Sequence, residues 1–282
     1  MILSKIVKAA IPVFLLFFVT NITGQELFIF TKPASNMPAH SISASVTGKF
    51  IGNNKSGNSA QRYTPEVMIG ISKKIMVHVF SSFSNMYSSG LKYESISIYG
   101  KYRFLSNDDI HTHFRMAFFA EASHSNNPFQ FDEIDTRGDK SGIELGIVAT
   151  QLWNKFALST TISNQQVLGD ARISKVLYIP PRSFQSFNYT LSAGYLLFPR
   201  EYTNYKQLNV NLYAELLGQQ AYEHGKGYID LAPAIQFIFN SNTKLNIGYR
   251  FQLNGNMERM TDRSWLIGIE RTFLNAFTSK NK

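Results

Sequence analysis

Along most of this chain apolar and polar residues alternate one by one, the period of a strand with one apolar and one polar face. Lys244 to Asn254 is the clearest stretch: Leu245, Ile247, Tyr249, Phe251 and Leu253 fall on one face, and Asn246, Gly248, Arg250 and Gln252 on the other. Tyr93 to Phe104 sets Ile96, Ile98, Tyr102 and Phe104 against Ser95, Ser97, Lys101 and Arg103. Gln207 to Gly218 sets Leu208, Val210, Leu212, Ala214 and Leu216 against Asn209, Asn211, Tyr213 and Glu215. Read in this way the chain predicts about twelve strands, over residues 41–51, 64–72, 75–84, 92–104, 112–124, 141–152, 155–166, 186–198, 206–220, 228–240, 243–254 and 262–273. A missed or split strand makes the number ten or fourteen.

The links between strands alternate too. Tight links at Ser72–Lys74, Trp153–Lys155 and Ser241–Asn242 follow even strands, and longer polar links at Gly52–Tyr63, Ser125–Lys140, Val167–Gln185 and Asn254–Thr261 follow odd ones. Barrels that cross a membrane have short periplasmic turns and longer external loops. Ser106–His111 and Pro199–Tyr205 are longer than that rule prefers. Beyond residue 24 no run of about eighteen apolar residues occurs, which disfavours a bundle of membrane helices. A closed barrel pairs every backbone N–H and C=O between strands and needs only short amphipathic segments. The fold class predicted is therefore all-β, a transmembrane antiparallel up-and-down β-barrel with both termini in the periplasm.

Ahead of the strands, Lys5 and Lys8 precede an apolar run from Ala9 to Val19 and a polar stretch at Thr20, Asn21 and Thr23. That order predicts a signal peptide removed after Gly24, its apolar run being too short for a membrane helix of about twenty residues. The expected organisation is a leader over 1–24, a periplasmic segment over 25–40, the barrel over 41–273 and a periplasmic tail over 274–282. With 28 Lys and Arg against 19 Asp and Glu, the chain remains basic after the leader is removed. Such a surplus suits lipopolysaccharide phosphates or anionic solutes, and export disfavours nucleic acid. The chain has no cysteine, so no disulfide framework or thiol chemistry is available.

On the predicted inward faces lie Glu66, His78, Lys101, Arg103, Arg115, Glu121, Glu144, Glu215, Asp230, Arg250 and Glu270. Two readings are open: a wet lumen whose charged walls select solutes, or a network of ion pairs that fills a narrow barrel. The loop FQFDEIDTRGDK, Phe129 to Lys140, carries Asp132, Glu133, Asp135 and Asp139. Its spacing matches no full calcium loop, so a solvated external loop is expected. Val167 to Gln185, with Arg172, Lys175, Arg182 and two prolines, could fold inward as a constriction. His113 and His124 fall at opposite ends of one strand, roughly 35 Å apart at about 3.3 Å per residue, too far to share a metal. No metal site, cofactor or catalytic residue is predicted. Gly100, Gly146, Gly194, Gly248 and Gly268 read as points of close packing in the wall.

The terminal strand, with Trp265, Ile267, Ile269 and Phe273 in alternation, resembles the signal read by the barrel-assembly machinery. Phe251 to Trp265 resembles the active-site segment of an outer-membrane phospholipase in Gln252, Asn254, Gly255, Arg263, Ser264 and Trp265. Phe251 and Leu253 stand where that enzyme needs its His and Ser, so acyl transfer is not expected. Taken whole, the chain resembles the small Gram-negative outer-membrane barrels that include porin-like and substrate-specific channels. The opening ELFIFTKPASNMPAHSIS, Glu26 to Ser43, is similar to that of barrels associated with metal handling. The resemblance implies contact with outer-membrane lipid and lipopolysaccharide, and a passive channel for small solutes. The alternative is a closed interaction barrel using its loops or residues 25–40 to bind a ligand or partner. A soluble periplasmic β-sandwich would need the apolar faces buried against a second sheet.

Overall fold

The computed structural model describes residues 28–52, 59–128, 130–168, 183–200 and 206–277; the predicted leader lies outside them. The twelve expected strands form in order: β1 (Ser41–Ile51), β2 (Ala60–Gly70), β3 (Ile75–Ser84), β4 (Lys92–Asp108), β5 (Thr112–Ser125), β6 (Gly142–Trp153), β7 (Phe156–Val167), β8 (Gln185–Phe198), β9 (Asn209–Ala221), β10 (Gly227–Phe239), β11 (Thr243–Gly255) and β12 (Arg263–Phe273). Each pairs antiparallel with its sequence neighbours, and β1 pairs with β12 to close the barrel. Closure leaves no edge with unpaired backbone groups. A strand of eleven residues tilted about 40° spans roughly 28 Å, the thickness of a bilayer's apolar layer.

The largest boundary differences are at β2 and β4. β2 begins at Ala60 because residues 60–63 continue the ladder with β1, Ile51 opposite Ala60 and Lys49 opposite Arg62. β4 runs on to Asp108 through a bulge between Arg103 and Leu105, and Asp108 then bonds His113 and Arg115 of β5. Half of the expected polar turn at 106–111 is therefore strand, and the turn itself is confined to Asp109–His111.

Short turns and termini share one end, here the turn side. Between β10 and β11, Asn240 and Ser241 have φ of 50° and 56°, the paired left-handed geometry that matches a tight hairpin to strand twist. At the opposite, loop side, Met86, Met257 and Met260 pack with Ile51, Ala60, Ala221 and Tyr228.

Alternation is realised as inside and outside. Val46, Val67, Ile96, Ile98, Leu145, Ile162, Leu191, Leu212, Ile267 and Ile269 are exposed on the exterior. Toward the turn side this band ends in Phe104, Trp153, Phe156, Tyr195, Phe198 and Phe273, and toward the loop side in Tyr93, Phe187, Tyr222 and Trp265, all exposed. An apolar belt between two aromatic girdles is the surface of a barrel that spans a membrane; water would leave it uncovered. The interior face is instead polar, with Ser43, Ser82, Ser95, Ser97, Lys101, Gln165, Ser192 and Asn211 buried.

Residues 28–37, expected below the barrel as a periplasmic segment, enter it from the turn side. The wall is thinned to receive them: a Cβ on Gly248 would stand 2.6 Å from the Phe30 ring, and one on Gly70 would run into the Pro38 carbonyl oxygen. The second collision is with a backbone atom that cannot rotate away, beside the point where the His40 N–H donates to the Gly70 carbonyl at 2.6 Å. Gly70→Ala should therefore cost about 1–3 kcal/mol through overpacking. It should lower the temperature at which refolded protein loses its compact gel mobility; an unchanged transition would show that the segment yields freely at this point.

Candidate functional site

The lumen is occupied from both ends. From the turn side, the irregular segment 28–37, bent at Ile29–Thr31 and at Ala34, has backbone N–H groups without strand partners, and a buried polar group must be paired. Glu215 of β9, fully buried, supplies acceptors. Its Oε1 accepts the N–H of Ile29 at 2.9 Å and Phe30 at 3.0 Å, and its Oε2 accepts the N–H and hydroxyl of Thr31 at 2.9 and 2.7 Å. Ser192 Oγ of β8 stands 3.2 Å from the same carboxylate and 2.8 Å from Thr31 Oγ1, so the two hydroxyl protons are shared among these contacts. A buried carboxylate needs such donors to offset its desolvation.

The rest of the segment is pinned around the wall. Lys32 pairs with Glu66 at 3.0 Å, lies 2.9 Å from His78 Nδ1, and sits 4.1 Å from the centroid of Tyr99. Lys101 Nζ donates to the carbonyls of Pro33 and Ser35, both at 2.7 Å, while the Ala34 N–H donates to Thr150 Oγ1 at 2.9 Å. Arg115 donates to Ser35 Oγ at 3.1 Å. Apolar residues follow: Phe28 packs on Tyr213 and Ala157, Ala34 on Ala117 and Val148, and Met37 on Met68 and Met76.

From the loop side comes the acidic β5–β6 loop, expected to be solvated outside. Its described residues turn inward because the wall offers them partners. The Ile134 N–H donates to Gln219 Oε1 at 2.8 Å and Gln219 Nε2 donates to the Ile134 carbonyl at 2.9 Å. Arg259 and Arg250 hold Glu133 at 3.1 and 3.5 Å, Arg62 holds Asp135 at 3.7 Å and also pairs with Asp139, and Lys226 holds Asp132 at 2.6 Å. Thr136 and Arg137 reach Glu121 at 3.1 and 3.5 Å. The loop weighed as a constriction, Val167 to Gln185, falls largely outside the described residues.

Between segment and loop remains a cavity of about 370 Å³ lined by Phe30, Lys32, Lys49, Arg62, Phe80, Tyr99, Glu133, Asp135, Glu144 and Arg250, among others. Of the residues expected on inward faces, Glu66, His78, Lys101 and Glu215 hold the segment, and Glu121 and Arg250 hold the loop. Asp230 anchors Arg250 at 2.5 Å and Arg259 at 2.8 Å. Glu144 accepts from Ser163 and Gln165 at 2.5 and 2.9 Å, and Glu270 pairs with Lys244 at 3.0 Å. Arg103 stands near Arg115 and Asp108 on the turn side. Sequence reading missed Lys49, Arg62 and Glu94, though Arg62 and Glu94 form a two-point pair at 2.6 and 3.2 Å. Continuing the β1 alternation outward through Lys49 was the available signal.

No protein-family model matches the chain, and no curated protein matches it in sequence. Solved structures do. The chain is similar to an outer membrane channel from Pseudomonas putida F1, at 12% identity over 87% of this chain and 100% of that one, with a TM-score of 0.52. It is similar to the β domain of the Bordetella autotransporter BrkA, at 12% identity over 83% and 99%, with a TM-score of 0.50. A match to the KdgM porin, at 7% identity over 82% and 99%, has a TM-score of 0.49. At such identities the first two likenesses establish the fold, a closed outer-membrane type of barrel.

Burial pushes the Glu133 pKa up, but Arg259 and Arg250 outweigh it and hold the carboxylate down at about 2. Burial moves Asp139 the other way, upward. A depressed carboxylate stabilises the docked loop fully above its ordinary value of 4.5 and ceases to do so as pH falls toward 2. Protection of the Ile134 amide from hydrogen exchange, corrected for intrinsic rate, should therefore exceed that of Glu133→Gln at neutral pH. The two should converge between about pH 4.5 and 2; a constant difference across that window would remove Glu133 from the account.

Proposed function

We propose that this protein is an outer-membrane channel for small solutes that rests occluded and opens when its N-terminal segment withdraws from the lumen. The observation that carries this reading is the capture of residues 29–31 by the single carboxylate of Glu215. These contacts join a wall strand to a terminal segment, not strand to strand, so they can break while every rung of the barrel ladder remains paired. Beyond the segment lies a polar, charged cavity continuous with the loop-side lining, the kind of wall that selects solutes by width and charge. The exterior belt and the fold shared with an outer membrane channel support placement in the outer membrane of a Gram-negative bacterium. Its lipid and lipopolysaccharide would be the surroundings, and the barrel-assembly machinery the route of insertion.

The filled lumen also favours a second reading, a closed barrel that binds a ligand or a periplasmic partner. The two separate on conductance. Full-length barrel in a planar bilayer should be silent apart from brief openings, whereas a variant lacking Ile29–Asn36, checked for heat-modifiable gel mobility, should show discrete and long-lived steps. A folded deletion variant that stays silent would support the closed barrel instead.

A further inference from the structure

Three cations stand side by side on the loop-side half of the cavity wall. Lys49 of β1 lies directly opposite Arg62 of β2 and, on its other side, opposite Leu266 of β12. Leu266 in turn faces Gly248 of β11, two residues from Arg250. Lys49, Arg62 and Arg250 all line the same cavity. The wall itself neutralises only two of them, Glu94 pairing with Arg62 at 2.6 Å and Asp230 with Arg250 at 2.5 Å. Among the described residues no carboxylate forms an ion pair with Lys49 within 4.0 Å.

The inward loop covers this excess charge. Asp135 stands 3.7 Å from Arg62, which Asp139 of the same loop also holds, and Glu133 stands 3.5 Å from Arg250 and 3.1 Å from Arg259; Asp135 and Glu133 both act on the charge of Lys49. Of the three loop carboxylates on this row, Asp139 keeps to Arg62, while Glu133 and Asp135 are the two that act on Lys49, the cation the wall leaves unpaired. Ser45, Thr47, Asn246 and Ser264 line the cavity beside the row and supply hydroxyl and amide groups for the polar remainder of a ligand. A volume of about 370 Å³ lies in the range of small-molecule sites.

We propose that Lys49, Arg62 and Arg250 form a recognition site for a small solute carrying two or more carboxylates, and that Glu133 and Asp135 occupy this site as an internal competitor. The site rests on the reading of the lumen as a solute pathway. An incoming dicarboxylate replaces the two loop carboxylates on the same cations, so loop and solute exclude one another. A site that is occupied by its own chain most of the time shows a correspondingly weakened affinity.

The test is isothermal titration of citrate into the full chain refolded in detergent at neutral pH, with each variant first checked for heat-modifiable mobility. Glu133→Gln combined with Asp135→Asn should bind citrate about tenfold more tightly than wild type, and Asp135→Asn alone should move affinity in the same direction by less. Lys49→Met should weaken binding at least about tenfold, the value of one charge-assisted hydrogen bond, and Lys49→Arg should restore it. The proposal is overturned if neither wild type nor the double variant binds citrate, or if Lys49→Met binds as wild type does. Titration reads no current, so a full chain that binds citrate beside a folded variant lacking Ile29–Asn36 that stays silent would sink the channel reading and leave this site standing. A conducting barrel indifferent to citrate would do the reverse.

Discussion

The pairing of β1 with β12 determines what the rest of the molecule has to solve. Nine residue pairs, from Ile42 with Phe273 to Phe50 with Trp265, join the first strand to the last. Once they form, no strand edge is left, and the backbone can sit in a medium that offers it no hydrogen bonds. The alternation of side chains then has one outcome. Apolar residues such as Ile96, Leu145, Ile162 and Ile267 turn outward, and serines, glutamines and charges turn inward. A ring of twelve strands encloses more space than inward side chains fill by themselves, and that space contains carboxylates and ammonium groups that need partners.

The chain answers with its own backbone and its own charges. The N-terminal segment brings unpaired N–H groups to Glu215, and the acidic loop brings carboxylates to Arg62, Arg250, Arg259 and Lys226. Buried ion pairs give back little beyond their desolvation, so this network adds modestly to stability. Its effect is on position: each partner is placed where an uncompensated charge would otherwise sit in the lumen. The two insertions differ in kind. The segment is irregular and runs out through the turn side into β1, whereas the loop is tied at both ends to β5 and β6. The proposed withdrawal concerns the segment, and local displacement the loop.

Strands were legible because period two is a strong local signal. Asn209, Asn211, Tyr213 and Glu215 were placed inward from sequence alone, and all four are buried there. What that signal could not give is the partner: Glu215 reads as a lumen charge, but nothing local says that the chain 185 residues earlier bonds to it. The segment Phe28 to Met37 has no period, because its contacts wind among many strands and match neither two nor 3.6 residues. The acidic loop misled for a related reason. Asp132, Glu133, Asp135 and Asp139 look solvated in sequence, and only the assembled barrel brings Lys226, Arg259, Arg250 and Arg62 to meet them. Arg62 reads as a loop residue because the alternation of β2 is plain only from residue 64, four residues after its ladder begins. Local periodicity reported the wall, and long-range charge pairing decided the contents.

The absence of cysteine allows a direct test of whether the segment controls the lumen. The hydroxyls of Thr31 and Ser192 lie 2.8 Å apart, so cysteines at both positions fall within reach of a disulfide. Single-channel conductance of that variant should be absent when it is oxidised, and the brief openings of the full-length barrel should return when it is reduced in the same bilayer. Equal conductance in both redox states would contradict the account, as would silence in both.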